Sequence, residues 1–260
     1  MSLQTDHAML LEAVREAGAL AFSFFRKDPR TWKKAAGDPV SEADIAVDVL
    51  LRDRLHGPRP DYGWLSEESE DDPVRLDHRR IWIVDPIDGT RAFLEERPEF
   101  TVVAALVEDG RPILGAVFNP ATGEFFDAIR GGGARLNGQT IAVSGRGDFD
   151  DARLLASARM VKRTIETMST RPATYDAVNS VAYRMALVAC GKYDATLSLG
   201  PKSDWDIAAA DLVVTEAGGL STDASGARFV YNGAVPRHPS LAVANPALHA
   251  RLLEVVASLD

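Results

Sequence analysis

Residues 82–90 have the sequence WIVDPIDGT, and the rest of the chain is organised around this stretch. The apolar run at 81–84 predicts a buried strand. Pro86 cannot donate a hydrogen bond to a neighbouring strand, so we expect the strand to stop there. The pattern therefore places Asp85 at a strand end, with Asp88 three residues later.

The same stretch continues with Gly89 and Thr90, which predict the start of a short helix. Two carboxylates at a strand end, beside helix N–H groups without partners, favour a site that binds cations and a phosphate together. The alternative interpretation is a strand, a proline turn and an Asp cap without a ligand. The length of the motif behind an apolar strand favours the metal–phosphate interpretation.

The composition limits the classes of protein to which the chain can belong. Its 260 residues suffice for one large α/β domain or two closely packed halves. The net charge of -9 argues against binding to a nucleic-acid polymer, which needs a basic surface. A single cysteine, Cys190, excludes an intrachain disulfide and a cysteine-based zinc site. No apolar run reaches 18 residues, so we expect no membrane span and a soluble, cytoplasmic protein.

Helical and strand patterns alternate along the chain and predict a layered α/β sandwich. A helix is expected over 6–26, and a hairpin joins predicted strands at 100–107 and 112–118. A short strand is expected near Phe229. The turn sequence at 145–148 is the predicted boundary between an N-terminal half, 1–147, and a C-terminal half, 148–260.

Carboxylates supply the candidate functional groups, namely Glu67, Asp85, Asp88 and Asp206. Ligands that offer only oxygen select hard cations such as Mg²⁺ or Mn²⁺. On local grounds Asp44 is either a functional carboxylate or only the carboxylate that caps a helix. It occupies the third position of a capping box that begins at Ser41.

Several separate segments resemble the inositol monophosphatase superfamily of Mg²⁺-dependent, lithium-sensitive phosphatases. They are PVSEAD at 39–44, LSEE at 65–68, DPIDGT at 85–90, and WDIAAA at 205–210 with EAGG at 216–219. The resemblance implies an αβαβα sandwich of the inositol monophosphatase and fructose-1,6-bisphosphatase type. It also implies hydrolysis of a small phosphorylated metabolite with two or three Mg²⁺ ions, or Mn²⁺, in a protein that is typically a homodimer.

The resemblance also implies a role for each matching residue. Metal ligands would be the carboxylates of Glu67, Asp85, Asp88 and Asp206 and the carbonyl of Ile87. Gly89 and Thr90 would contact the phosphate. Asp44 and Thr90 would polarise the attacking water, and Glu67 would take part in catalysis.

Further segments resemble the bacterial CysQ-type branch of this superfamily, which removes the 3′-phosphate from adenosine 3′,5′-bisphosphate. They are TRAF at 90–93, PEFTV at 98–102 and GRPILG at 110–115. Leu199 lies seven residues before Asp206, where inositol monophosphatases have a Glu that holds the inositol hydroxyls. Two residues depart from the CysQ pattern, Ala92 and Asn179.

The favoured function is therefore a 3′(2′),5′-bisphosphate nucleotidase. Inositol-1-monophosphatase, histidinol-phosphatase and fructose-1,6-bisphosphatase are alternatives, and so is a non-catalytic regulator that binds a phosphorylated ligand. The expected substrate contacts are Ser157, Arg159, Ser180, Leu199 and Lys202.

Overall fold

The computed structural model describes residues 2–34, 37–163 and 171–258. The helices of these residues are α1 (Leu3–Phe24), α2 (Glu42–Leu51), α3 (Thr90–Leu94), α4 (Ala158–Arg163), α5 (Val181–Ala189), α6 (Asp204–Glu216) and α7 (Pro246–Ala257). A π-helical turn, Arg52–His56, continues α2, and a 3-10 helix covers Pro73–Asp77.

The strands of the first half are β1 (Thr31–Lys33), β2 (Pro39–Ser41), β3 (Gly63–Ser66), β4 (Arg80–Asp88), β5 (Thr101–Glu108), β6 (Arg111–Asn119), β7 (Glu124–Ile129), β8 (Gly133–Leu136) and β9 (Gln139–Thr140). Those of the second half are β10 (Arg153–Ala156), β11 (Thr174–Ala177), β12 (Ala195–Ser198), β13 (Lys202–Ser203), β14 (Leu220–Thr222), β15 (Arg237–His238) and β16 (Leu241–Ala244).

Two sheets form the framework. One contains β3 to β9 in chain order, with β3 and β4 parallel and the other neighbours antiparallel. The second has the order β11-β10-β12-β16-β14. The chain passes from the first sheet to the second between Thr140 and Arg153, and the boundary predicted at 145–148 lies within this range. The division into two halves stays a prediction, because one apolar core contains residues of both sheets.

Successive side chains of a strand point to opposite faces of its sheet, so one strand contributes to two apolar cores, and this sets the order of the layers. Trp82 and Val84 of β4 pack with α1 and α2 on one face of the first sheet. Ile81 and Ile83 face the other way, into a core that holds α5, α6 and residues of the second sheet. The outer face of the second sheet packs against α7. These layers confirm the predicted αβαβα sandwich.

The central strand differs from its prediction at Pro86. Strand β4 does not stop there but continues to Asp88, and its register with β5 shifts between Asp85 and Asp88. The irregularity accommodates a residue that has no N–H to donate. Both carboxylates therefore lie on the end of one strand, on either side of a bulge.

The first helix and the predicted hairpin are each found within a few residues of their predicted bounds. The hairpin of β5 and β6 is confirmed, and the first helix covers Leu3–Phe24 rather than 6–26. The strand expected near Phe229 is wrong. Residues 228–232 form no strand, and the backbone hydrogen bond from the Tyr231 N–H to the Gly110 carbonyl is not part of a ladder.

Candidate active site

The predicted metal-binding residues come together in one cleft of about 330 Å³. The ends of β3 and β4 and the first turn of α6 bring in its carboxylates. The cleft is lined, among others, by Glu67, Asp85, Ile87, Asp88, Gly89, Thr90 and Asp206. These residues come from three separate segments of the sequence and lie at one place, as the motifs predicted.

Asp88 is held by the start of α5. Its carboxylate accepts hydrogen bonds from the Ser180 hydroxyl at 2.6 Å and from the N–H groups of Val181 at 3.1 Å and Ala182 at 2.6 Å. The free N–H groups and the partial positive charge of a helix N-terminus stabilise such an anion. Asp88 is therefore fixed in orientation while it lines the cleft.

Asp44 and Asp206 occupy equivalent positions in two other helices. Each is the third residue of a helix that begins after a serine, and each closes a capping box. Asp44 accepts from the Ser41 N–H at 2.8 Å, and Asp206 accepts from the Ser203 N–H at 2.8 Å. The structural and functional interpretations of Asp44 are thus compatible, because its second carboxylate oxygen is left for another partner.

That partner is Thr90. Its hydroxyl lies 3.2 Å from Asp44 Oδ1 and 3.0 Å from the carbonyl oxygen of Ile87. A hydroxyl donates one proton and has two lone pairs, so Thr90 can donate to Asp44 and still accept from a water molecule. Gly89, which precedes it, has φ 99°, and a Cβ there would lie 2.9 Å from the carbonyl oxygen of Glu99. The tight turn requires glycine at this position.

Burial and mutual repulsion raise the pKa values of the buried aspartates Asp85 and Asp206 in the cleft. Burial raises the pKa of Asp85 well above its usual range, and the charges of Glu67, Asp88 and Asp206 raise it further. Burial, followed by the charge of Asp88, raises the pKa of Asp206 to about 7. Burial likewise raises the pKa of Asp44. Carboxylates that hinder one another's ionisation in this way are stabilised by cations.

Two residues next to Glu67, Lys34 and Glu68, had no role assigned to them from the sequence. The ammonium group of Lys34 lies 2.8 Å from the carboxylate of Glu67 and 2.7 Å from that of Glu68. Burial alone would lower the pKa of Lys34, but the two carboxylates raise it. Burial raises the pKa of Glu68 to about 7. Lys34 carries no local signal for this role, because it is 33 residues from Glu67 and only the fold brings the two together.

The donor set of the cleft fits Mg²⁺, because it consists of oxygen atoms alone. Among residues 2–34, 37–163 and 171–258, no three His, Cys, Asp or Glu side chains form a compact group that could hold a metal ion. Mg²⁺ does not need such a cage, since proteins usually bind it through one or two carboxylates together with water and substrate phosphate oxygens. Carboxylates spread around an open cleft are the arrangement that this mode of binding uses.

A second cleft of about 490 Å³ adjoins the first, and Ser157 and Lys202 line both. We call it the side cleft. Arg159 and Leu199 also line it, so four of the five expected substrate contacts lie there. The exception is Ser180, which is fully buried and donates to Asp88. Its hydroxyl is the N-cap of α5, so it positions Asp88 and does not reach the cleft.

A family model described as the inositol monophosphatase family matches residues 2–260. The chain belongs to the inositol monophosphatase family. It resembles an inositol-1-monophosphatase of Rhizobium meliloti, with 36% identity over 228 residues that cover 84% of this chain and 85% of the relative. It also resembles the 3′(2′),5′-bisphosphate nucleotidase CysQ of Aggregatibacter actinomycetemcomitans, with 28% identity and 89% and 90% coverage.

The solved structure of a Thermotoga maritima inositol monophosphatase matches this fold with a TM-score of 0.85 and 29% identity, covering 98% of this chain and 97% of that one. As a member of the inositol monophosphatase family, the chain is a metal-dependent phosphatase. No helix in the described part of the chain is long and apolar enough to cross a membrane.

The site also has a buried cation, Arg184, to which no role was assigned from the sequence. Arg184 lies in α5, almost fully buried, and donates to the carbonyl of Val178 at 2.6 Å and the hydroxyl of Ser198 at 3.1 Å. Burial lowers its pKa to about 10, and the charges of Asp88 and Asp206 oppose that shift. From its buried position, the guanidinium of Arg184 therefore offsets part of the negative charge of Asp88 and Asp206.

Proposed function

We propose that the chain hydrolyses small phosphomonoesters in this cleft with two or three Mg²⁺ ions, or Mn²⁺, and that its favoured substrate is adenosine 3′,5′-bisphosphate. The observation that carries the substrate proposal is the side cleft, which continues from the carboxylate cleft through Ser157 and Lys202. A substrate with its scissile phosphate in the first cleft would extend the rest of its structure into the second.

In this proposal, Glu67, Asp85, Asp88, Asp206 and the carbonyl of Ile87 hold the metal. Bound Mg²⁺ supplies a Lewis acid that lowers the pKa of water and neutralises charge on the phosphate and the leaving oxygen. The protein contributes orientation, because hydrogen bonds from the backbone fix the carboxylates of Asp88 and Asp206 before the substrate arrives.

Thr90 and Asp44 form the proton-handling pair. The Thr90 hydroxyl donates to Asp44 Oδ1 and offers a lone pair to the attacking water. A proton given up by the water would pass through the Thr90 hydroxyl toward Asp44, whose raised pKa favours its acceptance. Gly89 and Thr90 open α3, so their N–H groups would contact the phosphate.

Two features of the side cleft support a nucleotide with a second phosphate. Leu199 is 40% exposed there and cannot accept hydrogen bonds from an inositol ring, whereas it can pack against a nucleoside. Lys202 donates only to the carbonyls of Gly200 and Pro201, with no carboxylate at ion-pair distance in the described part of the chain. Its ammonium group and the guanidinium of Arg159 would bind the phosphate that is not cleaved.

Inositol 1-phosphate is the second candidate, since the relative named an inositol-1-monophosphatase has 36% identity with this chain and the CysQ relative has 28%. A phosphate-release assay with Mg²⁺ should compare adenosine 3′,5′-bisphosphate, inositol 1-phosphate, histidinol phosphate and fructose 1,6-bisphosphate. We expect the highest kcat/KM for the first. A higher value for inositol 1-phosphate would overturn the nucleotidase proposal, and turnover of none would favour a regulator that only binds its ligand.

Lys202→Ala tests the basis of the preference. One hydrogen bond to a charged group contributes ~1.5–3 kcal/mol, which corresponds to roughly ten- to a hundred-fold in kcat/KM. We expect Lys202→Ala to lose this factor for adenosine 3′,5′-bisphosphate and to leave a small monophosphate such as phenyl phosphate nearly unchanged. An equal loss for both substrates would place Lys202 at the cleaved phosphate instead.

We also propose a homodimer in the cytoplasm, as the resemblance to the family suggested. Light scattering coupled to gel filtration would measure the mass directly, and a mass near the 28.1 kDa of one chain would exclude the dimer.

A further inference from the structure

A third cleft lies along α6, away from the carboxylates, and we call it the arginine cleft. Its volume is about 370 Å³, and Arg111, Arg130 and Arg228 line it. Asp211 and Glu216 of α6 also line it, five and ten residues after Asp206. With a helical rise of ~1.5 Å per residue, this wall lies roughly 8–15 Å along the helix from Asp206. It shares no lining residue with the carboxylate cleft or the side cleft.

None of the three guanidinium groups lies within ion-pair distance of a carboxylate in the described part of the chain. Arg111 donates to the carbonyl of Phe229 at 2.9 Å, and Arg130 donates to the carbonyl of Pro112 at 2.5 Å. Arg228 has neither an ion pair nor a side-chain hydrogen bond to any residue in the described part of the chain. Each of the three keeps most of its donors free for a ligand, because a guanidinium has five.

The carboxylates of the cleft are bound to neutral donors. Asp211 accepts from the hydroxyl of Tyr231 at 2.9 Å. Glu216 accepts from the N–H groups of Gly131 at 2.8 Å and Gly133 at 2.9 Å. Neither lies within ion-pair distance of a described arginine. The cleft therefore presents an excess of positive charge, three guanidinium groups against two carboxylates, although the whole chain has a net charge of -9.

Burial lowers the pKa of Arg130. Among the charges around it, those of Glu108, Glu216 and Asp211 raise this pKa, and that of Arg111 lowers it. Two guanidinium groups that disfavour each other's charge are stabilised when an anion binds between them. The wall beside them is apolar and includes Pro112, Leu212 and Leu220.

We propose that the arginine cleft binds the phosphate group of a small metabolite, at a site separate from the catalytic one. Guanidinium groups match phosphate oxygens through paired N–H donors, which is why arginine is frequent where phosphate is recognised. The cleft has room for a phosphomonoester whose organic part packs against the apolar wall. The inference does not depend on which substrate the catalytic cleft hydrolyses.

Isothermal titration with inorganic phosphate, in excess chelator, tests the site without turnover. We expect wild type to bind phosphate and Arg228→Gln to bind it at least ~10-fold more weakly, the loss expected for one charged hydrogen bond. Arg228→Lys keeps the charge but loses the paired donors, so its affinity should fall between the two. Arg52→Gln is the matched control, because Arg52 is also exposed but lies in the π-helical turn outside the cleft.

A second titration separates the two sources of phosphate. Glycerol 3-phosphate that binds at least as tightly, with the same dependence on Arg228, identifies a phosphomonoester as the ligand. Binding of inorganic phosphate alone identifies the free ion. Lys202→Ala reports on the catalytic side, so binding that is lost in Lys202→Ala and kept in Arg228→Gln would overturn the proposal. An absence of binding to wild type, or equal binding to Arg228→Gln and Arg52→Gln, would overturn it as well.

Discussion

Replacement of Asp206 by Asn should stabilise the metal-free protein. The pKa of Asp206 is raised from an ordinary 3.8 to about 7, chiefly by burial and by the charge of Asp88. One pKa unit corresponds to ~1.36 kcal/mol, so ionised Asp206 destabilises the fold by about 4 kcal/mol at most. Asp206 is partly exposed, and solvent screening reduces the expected gain from Asp206→Asn to roughly 2–3 kcal/mol.

The hydrogen bond of Asp206 survives this substitution, which isolates the charge. The amide oxygen of Asn can still accept from the N–H of Ser203, so the start of α6 keeps its cap. For a chain of this length, roughly 2–4 °C of melting temperature correspond to 1 kcal/mol. We therefore expect Asp206→Asn to melt roughly 5–10 °C above wild type at pH 8 in chelator.

The sign of the pH dependence follows from the raised pKa of Asp206. Between pH 4 and the pKa of about 7, the folded state holds a proton that the unfolded state releases. The contribution of Asp206 to the stability of the metal-free wild type is therefore fully present at low pH and is lost as the pH rises through about 7. Asp206→Asn should show a smaller loss over the same range.

Asp194→Asn is a control with the opposite expectation. Burial alone would raise the pKa of Asp194, but hydrogen bonds from Arg153 lower it below its ordinary value. Asp194→Asn should therefore melt below wild type at pH 8. Differential scanning calorimetry in chelator, at pH 5.5 and pH 8, measures all three proteins. If Asp206→Asn melts at or below the wild-type temperature at pH 8, Asp206 is not under electrostatic strain and the reasoning fails.

The remaining predictions concern catalysis and packing. Chelator should abolish phosphate release and Mg²⁺ should restore it, so full turnover in chelator would exclude the metal mechanism. Thr90→Ala should lower kcat by about 10²–10⁴-fold with little change in KM, while Thr90→Ser retains activity; an effect confined to KM would contradict a role in proton transfer. Gly115→Ala should destabilise the fold by about 1–3 kcal/mol in denaturant titrations, because its Cβ would lie 2.6 Å from the carbonyl oxygen of Ala209 in α6. Gly145→Ala, where a Cβ meets nothing within 4 Å, should be neutral.

The sequence was sufficient to predict the layers of the fold and the carboxylates of Glu67, Asp85, Asp88 and Asp206 in the cleft. Strand β4 and its carboxylates could be predicted because an apolar run and a dense motif are local signals. The continuation of β4 through Pro86 could not, because it depends on the neighbouring strand β5 and a shift in register. Short strands such as β13 and β15 pair with each other and contain two residues each, so no local periodicity predicts them.

The site residues that were missed share a physical reason. Lys34 and Arg184 act on carboxylates far away in the sequence, and a lone basic residue has no spacing that predicts such a partner. Ser180 was expected to contact the substrate because of its place in the chain. Its hydroxyl instead caps α5 and donates to Asp88 inside the protein.

The capping hydrogen bonds have a consequence for how this protein can diverge. Asp44 and Asp206 each accept a backbone N–H group at the start of a helix, a task that an amide oxygen performs as well as a carboxylate oxygen. A change from Asp to Asn, which needs a single nucleotide, would thus remove charge from the cleft and leave the helix starts intact. A duplicated gene could lose hydrolysis in one such step and still encode a folded protein with its arginine cleft unaltered, free to be selected for binding alone.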